Sequence, residues 1–476
     1  MDRKIPSVKL NMLMNAILTA SSIVFPLVTL PYITRVLGPQ YLGKVYFSHS
    51  VVMMFSMIAE LGIPVYGIKS CAKVRENIIE LSRTVHEILA INLVSCVVSY
   101  VLLAATVIIV PGVRAERTLI IAMSAVIILN SLGMEWLYKA IEKYTYITVR
   151  SIIFKTIALV AMFMLVKSKD DYIIYGVLTI AAASASNILN MINSRRYVIL
   201  RPIGGYDPWR HIRGMMFLFM LAAAVNIYTS LDVALLDLLS GDTQAGLYGV
   251  SARIKAALVS LITSVSAVLL PRTAFYFEKG ETDSFSRLIE GTLRLVVTAA
   301  VLTAVYFAAF AGDIIGLLAG DGFAGAAGSL RILMPALVLI VVSNVIGMQM
   351  LVPMDREKPV AAAAAAGAVI DLLLNLIMIP RFGPEGAAAA TLAAEAAVLI
   401  CLVHAAGADI IKKLMTDIPL IMIFAAAAAG AFIGKLAASG MGSPVLRLLA
   451  SGACYCVICG IILFIYERSC RRKELL

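Results

Sequence analysis

The sequence predicts an all-α polytopic membrane protein of about fourteen transmembrane helices, and three observations point there. Hydrophobic residues make up 61% of the 476 positions and charged residues only 14%, where a soluble domain carries about 25% charge. Mean hydropathy is +0.94, which means more apolar surface than a soluble globule can hide. The apolar residues also fall into runs of about 20, the length that crosses a hydrocarbon core about 30 Å thick as a helix. Disorder, collagen, coiled coil and a small disulfide scaffold are excluded by the same figures.

Taken in order, the runs lie at 10–33, 45–67, 88–110, 117–137, 147–166, 172–193 and 214–239. They continue at 245–270, 291–312, 330–352, 359–380, 386–406, 417–438 and 444–466. The first follows Arg3, Lys4 and Lys9 as the apolar part of a signal peptide would. It is longer than the roughly 7–15 residues of a cleavable segment and is followed by many spans, so it reads as an uncleaved first helix. Pro26 and Pro31 fall inside it; Pro64 is expected to end the second helix and Pro271 the eighth. Breaks of this kind are tolerated where freed backbone groups face protein or a water-filled cavity. The Ala-rich stretches 361–366, 387–390 and 425–429 suit close helix packing or reflect compositional drift.

An even number of spans puts both termini on one side. Loops on that side hold 25 of the 40 Lys and Arg residues, those on the other side nine, and six lie within or at the edges of helices. The richer side is expected to be cytoplasmic, in a multi-pass protein of the cytoplasmic membrane. Topology thus accounts for the net charge of +11, and nucleic-acid binding is not expected. A short repeat is visible as well. LGPQYLGKVYF at 37–47 and SGDTQAGLYGV at 240–250 place Gly38 and Gly43 over Gly241 and Gly246. Both segments fall on the outer side, and unchanged orientation implies a pseudo-two-fold axis along the membrane normal. The expected organisation is two six-helix lobes, 1–205 and 206–408, followed by a helix pair and a basic tail at 409–476.

Several apparent motifs lead nowhere. Gly38–Lys44 spells G-x-x-x-x-G-K, but Val45 follows where a phosphate loop needs Ser or Thr, and no strand precedes it. No nucleotide-binding domain fits in the chain, so transport is not expected to be driven by ATP on this polypeptide. Cys454 and Cys456 point about 160° apart on a helix, so C-x-C-x-x-C at 454–459 cannot converge on one metal. The four histidines lack ligand spacing, and no Ser–His–Asp pattern appears. Neither an enzyme nor a resident cofactor or metal is expected.

Ionisable residues inside spans are costly and mark function by default. Asp371 and Glu395 lie about 12–14 Å from the outer ends of neighbouring antiparallel helices, with Asn375 one turn from Asp371. Two readings stand for this pair: a shared proton or cation, H+ or Na+, or two separate bonds to neighbouring helices. Asp232 and Arg253 occupy opposite arms of the seventh–eighth hairpin, with Lys255 slightly deeper. Arg150 and Lys155 lie in the inner half of the fifth helix, Glu60 in the inner part of the second, and Arg35 at the outer end of the first. Arg150 either binds a ligand or pairs with Glu135 across a tight inner hairpin. Arg35, Arg150, Lys155, Arg253 and Lys255 are the candidate head-group ligands, because several cations projecting into a bundle suit an anionic phosphate group. Glu60, Asp232, Asp371, Asn375 and Glu395 are the candidate ion-coupling or cavity groups.

An ordered set of segments carries a resemblance. It comprises PYITRVLGPQYLGKVYF at 31–47, AELGIPVYGI at 59–68, EWLYKAIEKYTYITVR at 135–150 and KDDYIIYG at 169–176. NIYTSLD at 226–232, LPR at 270–272, QMLVPMDREK at 349–358 and NLIMIPRFGPEGAAAATLAAE at 375–395 complete it. Over about 30–400 the chain resembles the bacterial polysaccharide-repeat flippases (Wzx type) of the multidrug/oligosaccharidyl-lipid/polysaccharide exporter superfamily. The resemblance implies movement of undecaprenyl-pyrophosphate-linked oligosaccharide from the inner to the outer leaflet by alternating access of two lobes. It also implies coupling to an ion gradient; polymerase or glycosyltransferase partners and a monomeric state are expected. Two other substrate classes fit the same fold: cationic drugs or metabolites in antiport, and peptidoglycan precursors. A membrane-embedded glycosyltransferase or polymerase would need a large acid-bearing loop, and the longest loop, 194–213, is short and basic.

Overall fold

A computed structural model describes the backbone of residues 8–407, 410–411, 414 and 418–474, and of these all side chains except 8–9, 221–230, 265–268, 270–271 and 467–474. The side chains of Arg3, Lys4, Lys9, Lys412 and Lys413, of Pro271 and of the basic tail therefore lie outside the described residues, as do those of 226–230 in NIYTSLD. All secondary structure among the described residues is helical. Eleven of the described helical segments are long and apolar enough to cross a membrane. The chain is a multi-pass membrane protein.

The chain divides into two compact units, Met1–Gly246 and Leu247–Leu476. The first contains α1 (Val8–Glu60), α2 (Ile63–Lys73), α3 (Ile78–Ile109), α4 (Pro111–Ala115), α5 (Arg117–Met123) and α6 (Ala125–Gly133). It continues with α7 (Glu135–Ala140), α8 (Tyr144–Leu165), α9 (Tyr172–Ile180), α10 (Asn187–Ser194) and α11 (Trp209–Ser240). α12 (Asp242–Glu278) begins in the first unit and carries the chain into the second. There follow α13 (Thr282–Ala309), α14 (Ala311–Ala319), α15 (Ala326–Asn344), α16 (Glu357–Ala406), α17 (Leu420–Ala438) and α18 (Pro444–Glu474).

Glycines rather than loops divide the longest helices. α1 bends at Gly38, with φ 69 and ψ 175, and α16 bends at Gly383, with φ 55 and ψ −128. Positive φ with such ψ is open almost only to glycine. Gly241, the repeat partner of Gly38, adopts φ 88 and ψ 166 between α11 and α12. The two copies of the repeat thus share a backbone conformation as well as a spacing.

Two proline expectations are corrected. α1 ends at Glu60, where Leu61 at φ 44 and Gly62 at φ 72 turn the chain, and Pro64 stands in the first turn of α2. The first turn has no intrahelical use for its N–H groups, so proline starts this helix rather than ending the previous one. α12 runs on through position 271 to Glu278. The expected single helices at 117–137 and 172–193 are also segmented. The first breaks at Met134, φ 43, between α6 and α7. The second carries a π-helical turn, Ala181–Ala185, between α9 and α10. Such turns interrupt the hydrogen-bond ladder and recur at functional sites.

In the first unit, α2, α3, α7 and α11 close over one core that includes Ile63, Leu81, Ile88, Trp136, Leu137 and Met215. A Cβ on Gly67 would lie 2.7 Å from the Trp136 ring, so this glycine lets the indole lie against α2. In the second unit, Ala426, Ala427 and Ala431 of α17 pack on Tyr455 and Cys459 of α18. The 425–429 alanines are thus packed in part at a helix–helix contact, as small residues in membranes commonly are.

Candidate functional site

The first unit holds a polar pocket inside an otherwise apolar bundle. It has a volume of about 180 Å³ and includes Glu60, Asn130, Ser131, Trp136, Lys139 and Asn187 in its lining. Glu60 comes from the C-terminal end of α1. Asn130 and Ser131 come from α6, Trp136 and Lys139 from α7, and Asn187 from the first position of α10. The break at Met134 and the π-helical turn at 181–185 bring these groups to one place.

The groups form a chain of hydrogen bonds. Glu60 Oε1 accepts from Asn130 Nδ2 at 3.1 Å and from Ser56 Oγ at 3.3 Å. Asn130 Oδ1 in turn accepts from Ser184 Oγ at 2.8 Å and Asn187 Nδ2 at 3.3 Å. Arg150 of α8 donates to Asn187 Oδ1 at 3.0 Å and to the Ser186 carbonyl at 2.5 Å. Its other terminal nitrogen lies 3.5 Å from Glu135, whose second oxygen holds Lys139 at 2.8 Å. Glu135 therefore has two cationic partners, whereas no cation among the described residues pairs with Glu60.

Arg150 is only 4% exposed. Its terminal nitrogens are engaged by Glu135, Asn187 and the Ser186 carbonyl, so it fixes α8 and α10 behind the pocket. Lys155, five residues on, faces elsewhere. Its ammonium donates to Ser21 Oγ at 2.9 Å and Ser22 Oγ at 2.8 Å on the first arm of α1. Among the described residues it forms no ion pair. Lys155 is half-buried, so it combines an unneutralised charge with partial access. Arg35 is exposed and donates to the Pro31 carbonyl of its own helix at 2.5 Å.

The remaining candidates lie elsewhere. Asp232 is buried on α11 in the first unit; Arg253 and Lys255 are half-buried on α12 in the second. Asp371, Asn375 and Glu395 all belong to α16, on the two sides of its Gly383 bend. Asp371 and Asn375 are fully buried, and Asn375 Nδ2 donates to Asp371 Oδ2 at 3.0 Å. Glu395 is 4% exposed. Two glycines set the register of the arms. A Cβ on Gly386 would strike the Met378 carbonyl, and one on Gly367 would strike Val398 and lie 3.8 Å from the Ala394 carbonyl. Interpolating between these contacts puts Asp371 within about one 5.4 Å turn of the level of Glu395.

Sequence reasoning passed over Asn130, Ser131, Asn187 and Trp136. Their signal was the run of neutral polar residues inside apolar segments, at Asn92, Asn130, Asn187 and Asn190. It also passed over the clasp that ties the start of α11 to α3. Buried Glu87 accepts from Arg210 Nη2 at 2.6 Å and bonds His211 Nε2 at 2.7 Å, and His211 Nδ1 meets the Tyr66 hydroxyl at 2.9 Å.

Comparison with known proteins agrees with this architecture. A protein of Escherichia coli strain K12, provisionally named an O-antigen transporter, is 23% identical over 391 residues, covering 82% of this chain and 94% of that one. A provisionally named low-salt glycan biosynthesis flippase of Haloferax volcanii is 24% identical over 208 residues, 44% of this chain and 40% of that protein. Among solved structures, a lipid II flippase in an inward-closed conformation superimposes with a TM-score of 0.73 at 15% identity, covering 96% of this chain and 99% of the other. At that identity the likeness is one of fold. The characteristic pattern of the polysaccharide biosynthesis protein family matches residues 9–277, more than half of the sequence, and the chain belongs to that family.

Proposed function

We propose that this protein flips a polyprenyl-diphosphate-linked oligosaccharide, of the undecaprenyl type, from the inner to the outer leaflet of the cytoplasmic membrane. Membership of the family and the transporter and flippase names of its relatives support this reading. The observation that carries it is the polar pocket together with Lys155, a half-buried cation with no ion pair among the described residues, both inside a bundle whose exterior is apolar. A sugar head group and a diphosphate cannot cross hydrocarbon unaided, because burying charge there costs several kcal/mol or more. A pocket of hydroxyls, carboxamides and paired charges replaces the water of the sugar and Lys155 meets the diphosphate, while the polyprenyl tail stays in lipid.

In this reading Lys155 is the diphosphate contact of the first unit, and Arg253 and Lys255 are candidates in the second. Arg150 acts through Glu135 and Asn187. No covalent step occurs; the protein is a transporter. Counting one rod on each side of the bends at Gly38 and Gly383, and adding α11, the helices accommodate the fourteen-span topology with both termini cytoplasmic. Alternating access would be coupled to H+ or Na+ at the Asp371–Asn375–Glu395 group. Glycosyltransferases or a polymerase would supply and consume the substrate, and the transporter would act as a monomer.

The test is reconstitution into vesicles with a fluorescent lipid-linked oligosaccharide and a membrane-impermeant quencher. Protein-dependent protection and re-exposure of the head group is expected. If labelled oligosaccharide stays in its original leaflet while a cationic dye is exchanged for protons, the antiporter reading replaces this one.

A further inference from the structure

We infer that the pocket of Glu60, Asn130 and Ser131 is a subsite for a single hexose unit, and that it excludes the diphosphate. The inference rests on the flippase reading only for what delivers the sugar. Its size comes first. The cavity measures about 180 Å³, and one of about 150 Å³ takes a benzene ring, so the space is on the scale of a single six-membered ring.

The open hydrogen-bonding positions decide the chemistry. Glu60 Oε1 is occupied by Asn130 and Ser56, and among the described residues nothing bonds Oε2. Ser131 is 2% exposed and lines the pocket, and the neighbour of its buried hydroxyl is the Cys96 thiol, a weak partner that leaves most of its hydrogen-bonding capacity open. A buried hydroxyl met only by a thiol gains from a stronger oxygen partner. Lys139 adds ammonium donors on the opposite side of Glu135 from Arg150. The pocket therefore offers an acceptor, a hydroxyl that does both, and a donor within one cavity. Sugar hydroxyls both donate and accept, so adjacent ones match this set. A diphosphate only accepts and carries negative charge, and the lining suits it poorly: its one cation, Lys139, is already paired with Glu135, and Glu60 adds a further acceptor.

The structure also supplies its own probe. The chain has two tryptophans: Trp136 in the pocket wall and Trp209, 78% exposed at the start of α11. In Trp209→Phe protein, emission comes from Trp136 alone. This protein, full-length and in nanodiscs, is titrated with a panel of free hexoses, N-acetylhexosamines and deoxyhexoses, and separately with inorganic diphosphate. A saturable change with at least one neutral sugar, and none with diphosphate, is expected. Glu60→Gln keeps the shape but replaces a carboxyl oxygen by an amide nitrogen that cannot accept, and should weaken the sugar about tenfold. Ser131→Ala, a smaller change, should weaken it a few-fold at an unchanged melting temperature, so the outcome does not hang on one variant folding.

No response to any sugar, a response to diphosphate, or full sugar affinity in both variants overturns the subsite. Flipping is scored separately in vesicles. If wild-type protein moves no lipid-linked oligosaccharide, the proposed function falls, while the Trp136 titration still decides what the pocket binds.

Discussion

Gly43 and Gly246 interlock, each filling the space that the other's missing side chain leaves open. A Cβ on Gly43 would strike the Asp242 carbonyl and lie 3.0 Å from Gly246 N; one on Gly246 would strike the Pro39 carbonyl and lie 3.1 Å from Gly43 N. Pro39 and Asp242 hold the same position in the two copies of the repeat. The contact therefore has a local two-fold, and the bends at Gly38 and Gly241 aim both segments into it. Lys44, next in the chain, ties the contact to Glu116 at 2.5 Å and Asp242 at 3.8 Å.

Gly43→Ala and Gly246→Ala should each cost about 1–3 kcal/mol, the usual penalty for overpacking, because backbone rather than a flexible side chain must move. Gly38→Ala meets nothing within 4 Å and should suffer only from its backbone conformation. Thermal unfolding in detergent checks this. Gly43→Ala as stable as wild type would mean that the two segments are free to separate.

Gly133 sets the pocket from behind. A Cβ there would stand 2.5 Å from Asn187 Cβ and Cγ. Gly133→Ala should push Asn187 off Asn130 and Arg150, and flipping should fall more than stability does. Equal losses in transport rate and in folded yield would make Asn187 a packing residue only.

Arg150 and Lys155 should respond differently to loss of charge. Arg150→Gln leaves Glu135 with one fewer cationic partner in a buried network, and the main expected effect is lower folded yield. Lys155→Gln has no ion pair to break. It should leave folding intact and weaken the diphosphate-bearing substrate by about 1.5–3 kcal/mol, roughly one to two decades in affinity. Binding curves for lipid-linked oligosaccharide on solubilised variants separate the two; an unaffected Lys155→Gln removes this lysine from the substrate path.

The carboxylates of α16 bear on coupling. A coupling site must have different occupancy in the inward- and outward-open states. Asp371→Asn or Glu395→Gln should abolish the response of flipping to an imposed proton or sodium gradient while leaving substrate binding detectable. Vesicle assays with and without the gradient decide it. Undiminished gradient dependence in both variants leaves the pair as buried packing.

Orientation is open to a direct check. A reporter fused after Leu476 should score as cytoplasmic and one inserted in the 240–244 segment as external. The reverse pattern would invert the topology and the direction of transport proposed here.

By itself the sequence determined the class of the molecule. Composition and run length require a helical membrane protein: only helices and closed barrels satisfy backbone groups in hydrocarbon, and apolar runs of about 20 residues fit helices, not barrel strands of about ten. The charges Glu60, Arg150 and Lys155 stood out because an ionisable residue in an apolar run is rare, and the spacing of Gly38 and Gly43 announced the repeat. Facing and segmentation belonged to the tertiary structure. Arg150 and Lys155 sit on one helix, yet one serves the Glu135–Asn187 network and the other meets two serines of α1, since neighbouring helices decide which side of a helix finds polar partners. Pro64 could end one helix or start the next, and Leu61 and Gly62 resolved it by turning the chain first. The pocket was illegible for the same reason. Asn130 and Asn187 lie 57 residues apart, and only the break at Met134, the π-helical turn before Asn187 and the packing of Gly133 bring their carboxamides within hydrogen-bonding distance.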